Sequence, residues 1–167
     1  IDMAEKHGAD AVRFSLIANV GPGQDQRLAE DKIRSIRNFS NKVWNIGRFF
    51  EFQTLRSSAS PAGLKLWKKD KEVKATTKKL IKSVTKDLEN FKLGMAAENL
   101  YQFAWHEFAD KYIENFKKGL ISYNVLLETF KILLKLLHPF MPFVTEELWE
   151  KIFKKEKPLI ISSWPAI

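Results

Sequence analysis

Cysteine is absent from all 167 residues. That rules out disulfides, thiolate catalysis and cysteine-ligated zinc, and it fits a reducing compartment. Glycine (7) and proline (6) are scarce, and where they gather they build no nucleotide cradle. GPGQD, Gly21 to Asp25, lacks the lysine and the helix-opening glycines that hold phosphate. No apolar run suits a membrane span: the most apolar stretch, Leu120 to Leu137, is interrupted by Glu128, Lys131 and Lys135 and reads as a buried helix. The N-terminus carries no signal-peptide pattern. No histidine follows a glutamate by three residues, so a di-iron site in a helix bundle has no support. His106 and Asp110 share a helical face, a spacing that reads as a surface hydrogen bond. His138, between Leu137 and Pro139, reads as a helix C-terminal residue whose ring caps carbonyls. With no nucleophile motif, no active site is assigned to these residues.

What is present is helix and positive charge. Lys and Arg number 28 against 20 Asp and Glu, a net charge of +8, in a chain that is 45% hydrophobic. The composition is globular, and a polyanion is the natural partner, with nucleic acid ahead of a membrane surface because no lone basic amphipathic helix stands out. The organising stretch is Leu28 to Phe52, LAEDKIRSIRNFSNKVWNIGRFFEF. At about 100° per residue, Ile33, Ile36, Phe39, Ser40, Val43, Ile46, Gly47 and Phe50 fall within an arc of roughly 140°, the core face of one long helix that runs to about Leu55. Arg34, Arg37, Asn38, Asn41, Asn45 and Arg48 lie opposite, and Lys32 to Arg48 holds five basic residues and no acid. Phe49 breaks the amphipathic pattern, projecting beside Lys42 away from the core arc.

The rest of the chain reads as helices around that rod. Ile1 to His7 suggests a helical turn closed by Gly8, and Ala9 to Asn19 a helix with Val12, Leu16, Phe14 and Ile17 inward. Gly21 to Gly23 end it, Gln24 to Leu28 connect in extended form, and Ser57 to Gly63, SSASPAG, is a loop by composition. Lys65 to Lys92 carries ten lysines against Asp70, Glu72, Asp87 and Glu89. Val73, Leu80, Ile81, Val84, Leu88 and Phe91 recur at helical spacing within it, so its outer face is lysine-coated, either solvated or in contact with phosphate. Leu93 to Lys117 is a third long helix whose stripe, Tyr101, Trp105, Phe108, Tyr112 and Phe116, reads as core before base-stacking platform. Gly119 caps it. A helix apolar nearly all round then runs to Leu137, His138 to Phe143 form a proline-stiffened corner, Val144 to Phe153 is the last helix, and Leu159 to Trp164 finish extended. The fold class is all-α, an antiparallel helical bundle.

Two stretches, RNFSNKVWN at Arg37 to Asn45 and LLKLLHPFMPFVTEELW at Leu133 to Trp149, carry a family resemblance. With GADAVRFSL at Gly8 to Leu16, PGQDQRL at Pro22 to Leu28, EFADKYIE at Glu107 to Glu114 and SWP at Ser163 to Pro165, in the same order, the chain resembles the C-terminal anticodon-binding domain of class I aminoacyl-tRNA synthetases. HPFMPF with TEELW is shared with the isoleucyl and leucyl relatives, while PGQD with RNFSNKVWN is most similar to the valyl family. The resemblance covers nearly the whole chain and implies a piece of a longer cytoplasmic enzyme. Opening on Ile1 in mid-helix agrees with that. Residues 1–20 would be connecting helices that follow the catalytic domain, and residues 21–167 the anticodon-binding bundle, the two forming one structural unit. The implied parent ligates valine to its tRNA with ATP, whose lysine-bearing signature loop would lie upstream, so no cofactor is expected in this segment itself. The implied partners are a valine-type tRNA and the catalytic and editing domains of the same polypeptide, with no membrane. A coiled-coil arm is common after this point in valyl enzymes.

Family and wheel together name the candidate residues. RNA loops are read by stacking unpaired bases on aromatic rings and by hydrogen bonds to base edges. Asn38, Lys42, Asn45 and Phe49 are contiguous on one side of the long helix: Phe49 can stack, the asparagines can donate and accept, and Lys42 and Arg48 can meet phosphate. Arg34 and Arg37 complete the phosphate set. By resemblance, Lys42 and Phe49 match positions near the anticodon, and Ile113 matches an apolar position that packs on a base. Asp31 departs from relatives that carry a basic residue there. The alternatives are solvated asparagines, a Phe49 covered by another helix and an Ile113 that is plain core. At the level of function they are an isoleucyl or leucyl enzyme, or a helical protein-interaction module whose lysines only solubilise it.

Overall fold

In the computed structural model, residues 2–18, 29–56 and 67–166 are described, and all regular structure among them is helical. The helices are α1 Asp2–His7, α2 Ala9–Ile17, α3 Glu30–Arg56, α4 Asp70–Glu89, α5 Leu93–Gln102, α6 Ile113–Lys117, α7 Tyr123–Leu137 and α8 Pro142–Ile152, with a π-helical segment, Phe103–Tyr112, joining α5 to α6. The all-helical expectation holds. The expected connection at residues 24–28 and the loop at 57–63 lie outside the described residues.

α3 is the axis. Ile33, Ile36, Phe39, Val43, Ile46, Gly47 and Phe50 are buried, while Arg34, Arg37, Asn38, Asn41, Asn45 and Arg48 are exposed, as the wheel assigns them; Ser40, placed in the core arc, is only half-buried because it lines an open cleft. α2 and α8 pack on one flank of α3 and the π segment on the other, while α4 pairs with α5 and α7. The rings of α3 key these layers together. Phe50 stacks on Phe130 of α7 at 4.7 Å and 15° and lies 6.2 Å from Phe108 of the π segment. Phe39 lies 5.4 Å from Phe14 of α2 and 4.8 Å from Tyr101 of α5. Offset and tilted pairs at these separations add about 0.5–1.5 kcal/mol each beyond area burial.

Three carboxylates satisfy backbone amides that helix starts and turns leave without partners. Asp10 of α2 accepts from Val144 N at 2.7 Å and Phe143 N at 3.3 Å, capping α8 from across the chain. Burial pushes its carboxyl up in pKa, against the pull of those two amides. Asp70, 2% exposed, accepts from Trp67 N at 3.1 Å and Ser122 N at 2.8 Å, tying the start of α4 to the start of α7. Glu146 accepts from Leu159 N at 2.7 Å and Ile160 N at 3.0 Å. That contact explains one departure from expectation: Leu159–Ile161 is a turn of 3-10 helix, drawn tight by Glu146, where an extended finish was expected.

Other departures have equally local causes. α2 and its C-cap turn Ala11, Phe14, Ser15 and Ala18 inward and leave Leu16 55% exposed, because the stripe steps by 3 from Ala11 to Phe14 and by 4 on to Ala18. Phe91 lies beyond the end of α4 at φ 58 and is 83% exposed, so it is no part of the apolar face of that helix. His138 does not cap carbonyls. Thr145 gives its hydroxyl proton to Met141 O, so its oxygen accepts from His138 Nδ1 at 2.8 Å, and burial holds the imidazole below its ordinary pKa. α8 begins two residues before the expected start, with Pro142 at the first helical position, where its missing N–H is no loss.

Gly47 fixes how closely α3 and α8 approach. A β-carbon there would sit 2.2 Å from Leu148 Cδ2 and 2.9 Å from its Cδ1. Gly47→Ala is therefore expected to lower stability by about 1–3 kcal/mol, although alanine is the better helix former. Thermal melts test this: an unchanged or higher melting temperature would contradict the close approach. The penalty should shrink when Leu148 is also cut to Ala.

Candidate nucleic-acid interface

α3 positions the candidate side chains by its register, and the helices beside it divide them into two groups. Asn38 and Asn45, about two turns apart along the open edge, are exposed, as Arg34 and Arg48 also are. Lys42 and Phe49 turn toward the π segment and α6. Lys42 Nζ lies 3.2 Å from Asp110 Oδ1 and 5.2 Å from the centroid of the Trp105 ring, so it is held between a carboxylate and an aromatic face. Phe49 is half-buried, its ring edge-on to Phe50 at 5.3 Å and to Phe116 of α6 at 5.9 Å. Ile113, at the start of α6, is only 9% exposed, and it stands midway in sequence between Asp110 and Phe116, which both touch α3.

The five cations of the basic face are not equivalent. Lys32 donates to Ala18 O at the end of α2, and burial lowers its pKa. Arg34 lies 3.5 Å from Asp31, an exposed pair of the kind worth roughly 0–1 kcal/mol. Arg37 lines a different place, a cleft of about 570 Å³ bounded by α1, the start of α2, Trp44 and α8. It is thus set apart from Lys42 and Phe49. Neither Arg37 nor Arg48 makes an ion pair with a described residue.

The sequence reading missed the residues that frame Lys42. Trp105 stacks on Tyr101 at 5.7 Å and 20°, and Tyr101 in turn meets Phe39. The stripe to which they belong does pack, as expected, with Phe108 and Tyr112 buried, yet Tyr101, Trp105 and Phe116 remain half-exposed along the α3 edge. Asp110 does pair with His106, at 3.6 Å, and it also serves Lys42, 68 positions away in sequence, a separation that no local pattern reports. The ten residues from Phe103 to Tyr112 are π-helical, and such segments occur often at functional sites.

The arrangement presents amides and cations for base edges and phosphates around partly covered rings. Comparison with known proteins gives it a context. The family model described as the anticodon-binding domain of tRNA ligase matches residues 70–167. The chain belongs to this family. Its anticodon-binding domain matches valine–tRNA ligases beyond those residues: that of Clostridium tetani is 38% identical over 184 residues, covering 99% of this chain and 20% of the relative. That of Pseudothermotoga lettingae is 38% identical over 173 residues, covering 100% and 20%. The chain therefore spans about a fifth of the length of these curated relatives. Among solved structures, the LeuRS of Agrobacterium radiobacter K84, in a ternary complex with tRNA and LeuAMS, superposes with a TM-score of 0.80 at 23% identity over 99% of this chain and 20% of that one. That likeness shows that the anticodon-binding domain shares the fold of the corresponding part of a class I synthetase.

The half-burial of Phe49 fixes an expectation. Truncating a fully buried phenylalanine costs about 3–5 kcal/mol, the value expected for Phe50→Ala. Phe49→Ala should cost about 1–2 kcal/mol, because only part of its ring is covered. Denaturant unfolding of the two variants checks this: equal losses would place Phe49 wholly in the core.

Proposed function

We propose that this domain reads the anticodon loop of a valine tRNA for a valine–tRNA ligase, the parent enzyme joining valine to that tRNA with ATP in the cytoplasm. The observation that carries the proposal is the open edge of α3, where Asn38 and Asn45 stand exposed beside Lys42 and Phe49, in a chain of the anticodon-binding family. Unstacked loop bases offer ring faces and Watson–Crick edges. On this reading Phe49 stacks by the uncovered side of its ring, the two asparagines meet base edges, Lys42 exchanges Asp110 for a phosphate, and Arg34 and Arg48 add phosphate contacts. Ile113, 9% exposed, offers a base no more than an edge. Arg37 meets phosphate only where the RNA extends over the α2 cleft.

Amino-acid activation is assigned on this reading to the catalytic domain of the same polypeptide, which also carries an editing domain, both outside these residues. The cleft at Arg37 does not fit a nucleoside triphosphate: it sets the carboxylates of Asp10 and Glu147 against one arginine, the wrong balance for a chain of phosphates. Residues 1–20 act on this reading as the link from the catalytic domain, and residues 21–167 as the tRNA-binding bundle. The valine assignment is favoured over leucine or isoleucine because valine–tRNA ligases match at 38% identity, whereas the likeness to LeuRS is one of fold.

Filter binding tests the proposal. The domain should bind a valine tRNA with an affinity that falls steeply with salt, since neutralised phosphates release counterions, and should bind a version with an exchanged anticodon roughly tenfold or more weakly. Joint replacement of Asn38 and Asn45 by Ala should remove most of that difference. Equal affinity of the unsubstituted domain for the two tRNAs would remove the specificity claim.

A further inference from the structure

The sequence leaves the lysine-rich helix between a solvated face and a phosphate contact, and the structure bears on that choice. α4 buries Val73, Thr77, Leu80, Ile81 and Val84 and turns Lys71, Lys74, Lys78, Lys82 and Lys86 outward, all exposed. These five step by 3, 4, 4 and 4 and so form one row, about 22 Å long at 1.5 Å per residue. None of the five makes an ion pair with a described residue. The exposed acids of this helix, Glu72 and Glu89, sit at its two ends. A one-signed row without internal partners repels itself, and its field is suited to a matching row of negative charge.

The row is not remote from the α3 edge. Beside it, Lys79 lines a groove of about 330 Å³ between α4 and the π segment, whose opposite wall includes Gln102 and His106. His106 lies 3.6 Å from Asp110, which meets Lys42 of α3 at 3.2 Å. One surface thus runs from Lys42 across the π segment, past Glu107, to Lys79, the neighbour of Lys78 in the row. The two ends differ in chemistry. The α3 edge carries amides and a half-open ring, the equipment for unpaired bases, whereas α4 itself has charge at regular intervals and no aromatic residue, with Trp164 beside it donating its indole N–H to Thr85 at 2.9 Å. A surface dominated by charge suits a base-paired stem, whose bases are covered and whose phosphates are exposed.

We infer that the α4 lysine row is a second RNA contact, docking on the phosphate backbone of the stem whose loop the α3 edge reads. The inference rests on the RNA-reading role proposed above and extends it to a helix that the loop-reading residues do not include. The row fixes the stem and so sets how the loop arrives at α3, contributing affinity without base specificity.

The test compares two RNA hairpins with the same valine anticodon loop, one with a full stem and one truncated to its loop-closing pairs, by fluorescence anisotropy over a salt series. In the variant with Lys71, Lys74, Lys78, Lys82 and Lys86 all changed to Gln, affinity for the full-stem hairpin should fall by tenfold or more, and the salt slope should drop by about 4, since each of the five lost phosphate contacts removes roughly 0.7–0.9. Affinity for the truncated hairpin should stay the same. The substitutions are all at exposed positions, and an unchanged circular dichroism melt verifies the fold. Unaltered affinity and slope with the full stem would overturn the inference while leaving loop reading intact. Failure of the unsubstituted domain to bind either hairpin would overturn loop reading and this inference together. Sedimentation with phosphatidylserine vesicles that the five substitutions abolish, with hairpin binding kept, would assign the row to a lipid surface and overturn it also.

Discussion

Everything in this bundle depends on burying one side of α3. A helix of 27 residues with a basic outer face has no reason to be straight or fixed by itself. Its position is set where Phe50 stacks on Phe130 at 4.7 Å and where Gly47 lets Leu148 of α8 approach closer than a β-carbon allows. With both flanks sealed, the outer edge cannot rotate, and the angular positions of Asn38, Lys42, Asn45 and Phe49 become fixed relative to the rest of the molecule. Preorganisation of this kind is what a reading surface needs, because side chains already held in place lose less entropy when a ligand arrives.

The turns around that rod are held by long-range carboxylate contacts. Asp10 and Glu146 each accept two backbone N–H groups from a distant turn or helix start, and Asp70 joins the N–H of Ser122 to that of Trp67 just before its own helix, so the layers are joined by hydrogen bonds as well as by rings. Buried amides left without acceptors would each cost about 1–3 kcal/mol. These contacts also bind α2 to α8, which makes the first helices part of the same packed body as the last.

Much of this was legible in the sequence because helical periodicity is a strong signal. The two faces of α3, the apolar face of α4, the aromatic stripe and the proline corner all follow from the positions of residues along a wheel, and the structure reproduces them. The errors share a cause: a wheel gives an angle, not the identity of the neighbour at that angle. Leu16 and Phe91 were read inward because they are apolar; they are exposed because the buried stripe of α2 is set by Phe14 and because Phe91 lies past the end of α4 at φ 58. His138 was matched to nearby carbonyls, yet its ring meets Thr145 on the far side of the corner. At the candidate site the same gap appears. Phe49 was visibly anomalous, but Phe116 as its partner, and Trp105 and Asp110 around Lys42, could not be paired with it across more than sixty residues. Arg37 was grouped with the others by charge, while its register carries it to the α2 cleft. The π-helical register from Phe103 to Tyr112 has no signature in composition.

Family membership and geometry bear on different questions. The anticodon-binding family and the valine–tRNA ligase relatives say what kind of molecule this is, and the edge of α3 is where we propose that an RNA loop is read. The measurement that tests that location most directly is a titration of the ¹⁵N-labelled domain with an unlabelled hairpin bearing a valine anticodon, followed by amide chemical shifts. Loop reading by α3 predicts the largest shifts, dependent on loop sequence, at Asn38 to Phe49 and in the facing π segment. Shifts concentrated on α8 and the turn at Leu159–Ile161, or α3 shifts that are the same for every loop sequence, would contradict it.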